Sequence, residues 1–376
     1  MVCVPFIAVY LFTSLNTHST PMLQRRANKL QTNAQHTGIL YSIRHDPDVF
    51  LIGVHHVTTA RSQQIHPDIT PYYHCVSRCV RRSFLCGEDS FTGQSYEHRR
   101  AWIEERILTL STVYCIDVCA YAVMSNHYHI VVHIDKKKAK DLSDHEVIER
   151  WCSEHNSPSI IKKFKSHQIM TDTEKQVCSE IITIWRERLS SISWFMKELN
   201  HGIAVQANKE DQCTGRFWEG RFKSQALLDE KALLAAMAYV DLNPVRANTA
   251  KLPETSEHTS LKYRLDSLKL YQKQPIALLP FASDLNEKSS HSIPFSFVDY
   301  LELVDWIGRQ IREDKQGHIE KTEPKILQRL TLSHKAYYCV CTALESKPRL
   351  WIGTSDNIVN AKTKLERQRM VALVIA

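Results

Sequence analysis

Two histidines, His127 and His129, flank Tyr128 at the mouth of the apolar run Ile130-Val131-Val132. A pleated strand sends alternate side chains to opposite faces, so both imidazoles leave on one side and Tyr128 on the other. Two nitrogens on one side can share a metal ion. The chain holds 19 histidines, enough for chance pairs, and the same pair reads equally as surface or packed histidines until a partner is found. Tyr239 and Asn243 offer one: spaced by four, they project from consecutive turns of a helix that must end at Pro244, presenting a hydroxyl beside an amide oxygen. Taken singly, Tyr239 reads as an edge-of-core residue and Asn243 as a helix terminator.

A third segment, Arg216-Phe217-Trp218-Glu219-Gly220-Arg221-Phe222-Lys223-Ser224, interleaves aromatic and basic residues after Gly215. Unpaired bases stack on aromatic faces while cations track the phosphates, so Phe217, Trp218 and Phe222 beside Arg216, Arg221 and Lys223 make a candidate DNA-binding surface. The same composition also describes a core strand with solvated cations. Arg78, Arg81, Arg82 and Arg246 are further phosphate candidates. A formal net charge of +7 favours a polyanionic partner.

The elements that must position these residues follow from periodicity. Tyr72 to Val80 alternates as a first strand, and Tyr96 to Thr112 carries Trp102, Ile103, Ile107 and Leu110 at helical spacing. Val113 to Met124 and His129 to Ile134 form a hairpin about Ser125-Asn126. Residues 141–200 read as helices with Trp185, Leu189, Trp194 and Leu199 as apolar anchors, and Gln225 to Leu228 as a fourth strand. Asp229 caps a helix over Glu230 to Leu242, with Leu233, Leu234, Met237 and Val240 on one side. This order predicts an α+β fold, an antiparallel sheet with helices packed on it, related to the ferredoxin-like pattern.

Composition is that of a folded protein, 43% hydrophobic and 24% charged, which excludes wholesale disorder. The expected organisation is an N-terminal extension over 1–56 whose start is assigned too early, a domain over 57–265, a linker over 266–290 and a separate helical C-terminal unit over 291–376. In that last unit Tyr300, Val304, Ile307 and Ile311 share a face. Val2 to Phe12 is too short to span a bilayer, so no membrane anchor is expected. Eleven cysteines, an odd number without the rhythm of a disulfide scaffold, predict free thiols. Cys75, Cys79, Cys115 and Cys119 read as buried small hydrophobes rather than zinc ligands.

The blocks Met124-Ser125-Asn126-His127-Tyr128-His129-Ile130-Val131, Arg216 to Ser224, and Tyr239-Val240-Asp241-Leu242-Asn243-Pro244-Val245-Arg246-Ala247 occur in this order. Together they resemble the three signature blocks of the HUH single-tyrosine transposases, most of all the REP-associated tyrosine transposases and their insertion-sequence relatives in bacteria, across roughly Ile65 to Tyr263. The resemblance implies an HUH fold in which His127 and His129 hold a divalent metal, Mg2+ or Mn2+, with Asn243 as third ligand and Tyr239 as nucleophile. It implies nicking of single-stranded or hairpin DNA through a 5′-phosphotyrosine, rejoining in transposition and recombination, action as a homodimer or transient dimer, and a cytoplasmic, nucleoid-associated location. Tyr128 departs from the bulky hydrophobe usual between the histidines by its polar tip. Phe295, Asp299, Tyr300 and Trp306 resemble the tail of longer members. Two other classes remain open: a catalytically inactive or domesticated protein that grips hairpin DNA, and a regulatory module in which zinc is structural.

Overall fold

Alternation of apolar side chains over short runs builds the sheet, and longer runs of helical period cover it. A computed structural model describes residues 60–80, 85–88, 93–282, 291–311, 324–330, 337–338, 340–341, 344 and 350–375. The extension expected over 1–56 lies outside the described residues. In chain order the elements are β1 (Tyr72–Arg78), α1 (Arg99–Val113), β2 (Ile116–Val123) and β3 (His127–Ile134). Helices α2 (Lys136–Asp141), α3 (Asp144–Cys152), α4 (Ser159–Lys165), α5 (Asp172–Leu189) and α6 (Ile192–Glu210) follow. Then come β4 (Lys223–Leu227), α7 (Glu230–Asp241), α8 (Asn243–Arg246) and α9 (Ser260–Tyr271). The C-terminal part adds α10 (Phe297–Ile311), α11 (Lys325–Arg329), β5 (Trp351–Gly353), α12 (Ser355–Lys364) and β6 (Ala372–Val374).

The sheet runs β2-β3-β1-β4-β5-β6. Its first four strands pair antiparallel with one another, with the hairpin expected between β2 and β3, and make the α+β pattern read from the sequence. One face, through Tyr73, Cys75, Val118, Tyr121, Ile130 and Val132, packs on Ile103, Ile107 and Leu110 of α1 and on Phe195, Leu199 and Ile203 of α6. The other face, through Ala120, Ala122, Val131 and Leu227, lies under α7. A register shift between Val118 and Ala120 lets the alternation restart, so that Tyr121 points to the first layer while Ala120 and Ala122 point to the second.

Helix α7 is buried on every side from Ala232 to Asp241 rather than along one stripe. Four alanines among these ten residues allow the close approach to the sheet. Asp229 caps it through Oδ1, which accepts from the Ala232 amide at 2.9 Å. The other oxygen accepts from the Thr354 amide at 2.7 Å and from Asn357 Nδ2 at 3.0 Å, so one carboxylate ties the start of α7 to the start of α12.

The C-terminal expectations are corrected here. The described residues of 291–376 are neither wholly helical nor a separate unit: β5 pairs parallel with β4, β6 pairs parallel with β5, and Tyr300, Val304 and Ile307 of α10 share the core of α7. The sheet edge at β4 and the outer side of α7 are apolar surfaces that this region buries. Part of the expected linker is packed as well, since Leu278, Leu279 and Phe281 are buried and the Leu279 amide donates to the Val118 carbonyl at 2.8 Å. Cys75, Cys79, Cys115 and Cys119 are buried thiols, as expected of small hydrophobes. No helix of the described residues is long and apolar enough to cross a membrane.

A buried carboxylate, Asp241, locks α7 to α9 and α10. It accepts from Ser260 Oγ at 2.6 Å, the Leu261 amide at 3.1 Å and Tyr300 Oη at 2.5 Å. Burial raises its pKa, and these donors together with the Arg264 charge oppose that rise. Replacing Tyr300 by Phe removes one donor from a buried charge and should lower the unfolding free energy by about 1.5–3 kcal/mol. Urea unfolding of both proteins measures it; a drop below about 0.5 kcal/mol would refute this account of the lock.

Candidate active site

Strand register decides which residues share the α7 side of the sheet. In β1 and β3, Arg78 lies opposite His127, Val76 opposite His129 and His74 opposite Val131. Across β1 and β4, Gln225 lies opposite His74 and Lys223 opposite Val76. Alternation therefore puts His127, His129, His74, Arg78, Gln225 and Lys223 on one face, cationic at its open end and apolar further in. Helix α7 covers that face and delivers Tyr239 from its last turns, and the sharp turn into α8 brings Asn243 and Arg246.

The residues singled out from distant blocks meet here. Asn243 Nδ2 lies 3.1 Å from His129 Nε2. The rings of His127 and His129 stand edge to face with centroids 4.7 Å apart, and Tyr239 packs against His129 at 5.5 Å. The Arg246 guanidinium lies 4.5 Å from the centre of the Tyr239 ring. Tyr239 is 3% exposed, held between the sheet and this cation.

Sequence reasoning missed His74. It is fully buried, its Nε2 is 3.1 Å from His129 Nδ1, and its ring lies 6.0 Å from that of Tyr239. The alternation of β1 could have placed His74 on the same face as Arg78, but nothing local says that this face meets His129.

These residues fit a divalent cation. His127 Nδ1 is 2.5 Å from Asn126 Oδ1, an oxygen that can only accept, so the imidazole proton sits on Nδ1 and Nε2 keeps its lone pair. Burial, with Arg78 and His74 nearby, brings the His127 pKa down to about 3, and burial together with His127, His74, Arg246 and Arg78 holds His129 well below its ordinary value. Neutral imidazoles with unprotonated Nε2 atoms, beside an Asn243 amide whose nitrogen faces His129 and whose oxygen would turn inward to meet an ion, make a nitrogen and oxygen donor set with room for further ligands. The zinc-module alternative fits less well, because Cys75 and Cys79 point into the opposite layer of the sheet.

Tyr128 leaves on the other face, and its polar tip is answered there: Oη donates to Asn200 Oδ1 at 2.7 Å, and Asn200 Nδ2 donates to Ser77 Oγ at 3.0 Å. A hydroxyl is thus accommodated between the two histidines.

The aromatic-basic segment runs along the end of β1, where the Val80 amide donates to the Phe217 carbonyl at 3.0 Å and the Glu219 amide to the Arg78 carbonyl at 2.9 Å. Its aromatics correct the sequence reading. Phe217 is 2% exposed within the core, Phe222 is buried beneath the Arg61 guanidinium, and Trp218 donates from Nε1 to the Asn200 carbonyl at 2.8 Å while packing edge-on against Tyr128. Burial removes Phe217 and Phe222 from any stacking surface, while Trp218 stays half-buried. Arg216, Arg221 and Lys223 are exposed, Arg78 is half-buried beside His127, and Arg81 and Arg82 lie outside the described residues.

A second grouping with metal-ligand atoms, Asp117, Asp135 and His291, lies near the far end of β3. There His133 Nδ1 is 2.9 Å and Lys138 Nζ 3.7 Å from the Asp117 carboxylate, and His291 Nδ1 is 3.0 Å from Asp135. Lys138 and the imidazoles of His133 and His291 already stand against those acids.

No family model matches this sequence, and no curated protein does. Among solved structures, one described as a REP-associated tyrosine transposase bound to a REP hairpin matches with a TM-score of 0.31 and 13% identity, over 59% of this chain and 90% of that one.

Two sets of variants separate scaffold from surface. Phe217→Ala should cost about 3–5 kcal/mol of stability, and below its melting transition it should bind a single-stranded oligonucleotide within about twofold of the wild type. Arg216→Ala combined with Arg221→Ala should leave stability unchanged but weaken that binding, and flatten the dependence of log affinity on log salt by roughly 0.7 for each phosphate no longer neutralised. Fluorescence anisotropy across salt concentrations reads both; an unchanged slope would remove these arginines from the DNA surface.

Proposed function

We propose that the chain is an HUH-type single-tyrosine transposase that nicks single-stranded or hairpin DNA through Tyr239 and rejoins strands in transposition. The observation that carries this is the 3.1 Å approach of Asn243 to His129 beside Tyr239, which joins two sequence blocks 114 residues apart into one site. Neither the residue types nor their spacing alone required that meeting.

A phosphodiester repels nucleophiles, and a tyrosine hydroxyl with an ordinary pKa of about 10 is mostly protonated at neutral pH. Positive charge answers both problems. Mg2+ or Mn2+ held by His127, His129 and Asn243 would polarise the scissile phosphate and offset charge that develops on its oxygens. Arg246, over the Tyr239 ring, stands where it can meet the phosphate. Lys223, Arg78, Arg216 and Arg221 guide the backbone to the open end of the face. Tyr239 Oη attacks phosphorus in line, the bond from phosphorus to the 3′ oxygen breaks, and that oxygen leaves as a 3′ hydroxyl after taking a proton. The 5′-phosphotyrosine conserves the phosphodiester energy, so the 3′ hydroxyl of another strand can reverse the step. One nucleophilic tyrosine per chain fits action as a homodimer or in successive reactions, in the bacterial cytoplasm where nucleoid DNA lies.

The burial of Tyr239 favours a second reading, a non-catalytic hairpin-binding protein, because the hydroxyl must be uncovered before it can attack. Incubation of the full chain with labelled hairpin oligonucleotides from the DNA flanking its gene, with Mn2+ or Mg2+, followed by denaturing gels, separates the two. A metal-dependent covalent adduct that disappears in Tyr239→Phe is expected. Tight hairpin binding without an adduct would establish the non-catalytic reading instead.

A further inference from the structure

We infer that His74, Gln225 and the Leu344 backbone carbonyl form a hydrogen-bond relay that fixes the tautomer of His129 and aims its Nε2 lone pair at the Tyr239–Asn243 side of the site. In its bearing on metal binding this rests on the transposase reading; in its statement about His129 it does not.

Each link has one permitted direction. Gln225 Nε2 is 3.2 Å from the Leu344 carbonyl oxygen, which can only accept, so the amide nitrogen faces Leu344 and Oε1 faces His74. Gln225 Oε1 lies 2.7 Å from His74 Nδ1 and, being an acceptor, requires the proton of that imidazole on Nδ1. In a neutral His74, Nε2 is then unprotonated and accepts across the 3.1 Å to His129 Nδ1, which puts the His129 proton on Nδ1. At the far end Asn243 Nδ2, a donor, meets His129 Nε2 at 3.1 Å, which fits the same tautomer in the ion-free site; a bound ion would take that lone pair and turn the amide oxygen inward. His74 and His129 are fully buried, where an imidazole nitrogen turned the wrong way has no water to satisfy it.

The relay also gives the C-terminal part of the chain a bearing on the site. Leu344 is buried in the α7 layer, and nearby Cys341 lies 3.8 Å through its Sγ from the Ala235 carbonyl of α7. A region that extends the sheet beyond β4 thereby sets, through Gln225, the orientation of an amide two side chains from His129. His74 is a positioning residue: it keeps the His129 ring in place and makes its Nε2 a better donor, as a partner on the remote nitrogen does for a ligating histidine.

Long-range proton–nitrogen correlation spectra of the full chain, labelled with 15N-histidine and stripped of metal, read the tautomer directly. His129 is expected as the Nδ1–H form in the wild type, and as a mixture or the Nε2–H form in His74→Phe. Gln225→Leu, which removes the acceptor of His74 Nδ1, should loosen the same preference. In both variants Mn2+ affinity, followed by the spin resonance of the unbound ion, should fall about 10–100-fold. An Nε2–H form in the wild type, or wild-type tautomer and Mn2+ affinity retained in folded His74→Phe and Gln225→Leu, would overturn the relay. Absence of a DNA adduct while His129 remains Nδ1–H would sink the transposase reading and leave the relay standing.

Discussion

An imidazole buried between a sheet and a helix must find a partner for each of its nitrogens, and much of this molecule follows from meeting that demand at His129. One nitrogen faces His74 and the other faces Asn243, so β1 must lie beside β3 in a single register and α7 must end where it does. A slip of one residue in β3 would turn both site histidines into the opposite layer and bring Tyr128 out in their place. The polar pocket that Tyr128 finds around Asn200 and Ser77 penalises such a slip from the other side.

The α7 helix is held with corresponding firmness. Asp229 ties its first turn to the C-terminal strand region, and Asp241 ties its last turn to α9 and α10. Between these anchors the helix is apolar on all sides, so it cannot rotate without exposing core. Tyr239 and Asn243 are thus presented on a rigid element. The cations that could meet a phosphate, Arg78, Arg216, Arg221 and Lys223, lie instead at strand ends and in the loop beside β1, where solvent reaches them. The proposed nucleophile is thus held rigidly, with solvated cations at the rim of the same face.

The relay gives the parallel pair β5 and β6 more than an edge-covering role. Their addition to β4 shields an edge that would otherwise invite pairing with another chain, and the segment ahead of β5 supplies the carbonyl that orients Gln225. Fold stability and site chemistry are coupled there through one backbone acceptor.

By itself the sequence determined the order of strands and helices through α7, the hairpin and the end of α7 before Pro244, because each rests on local period or capping; spacing offered His127 with His129 and Tyr239 with Asn243 only as pairs, which the resemblance of the three blocks joined into one candidate set. The strand-like cysteines were legible as buried side chains for the same reason. Tertiary structure decided the rest. Phe217 and Phe222 carry the composition of a stacking surface, yet nearby apolar layers claim them, and a composition cannot say which surface offers more area. His74 gave no local signal because its partner is 55 positions away. The C-terminal region read as a separate helical unit since β5 and β6 are three residues each, too short for a period to register, and they become strands through pairing with β4. Periodicity records what a segment does to its own neighbours in sequence; which nitrogen faces which oxygen across the sheet is fixed when non-local elements pack.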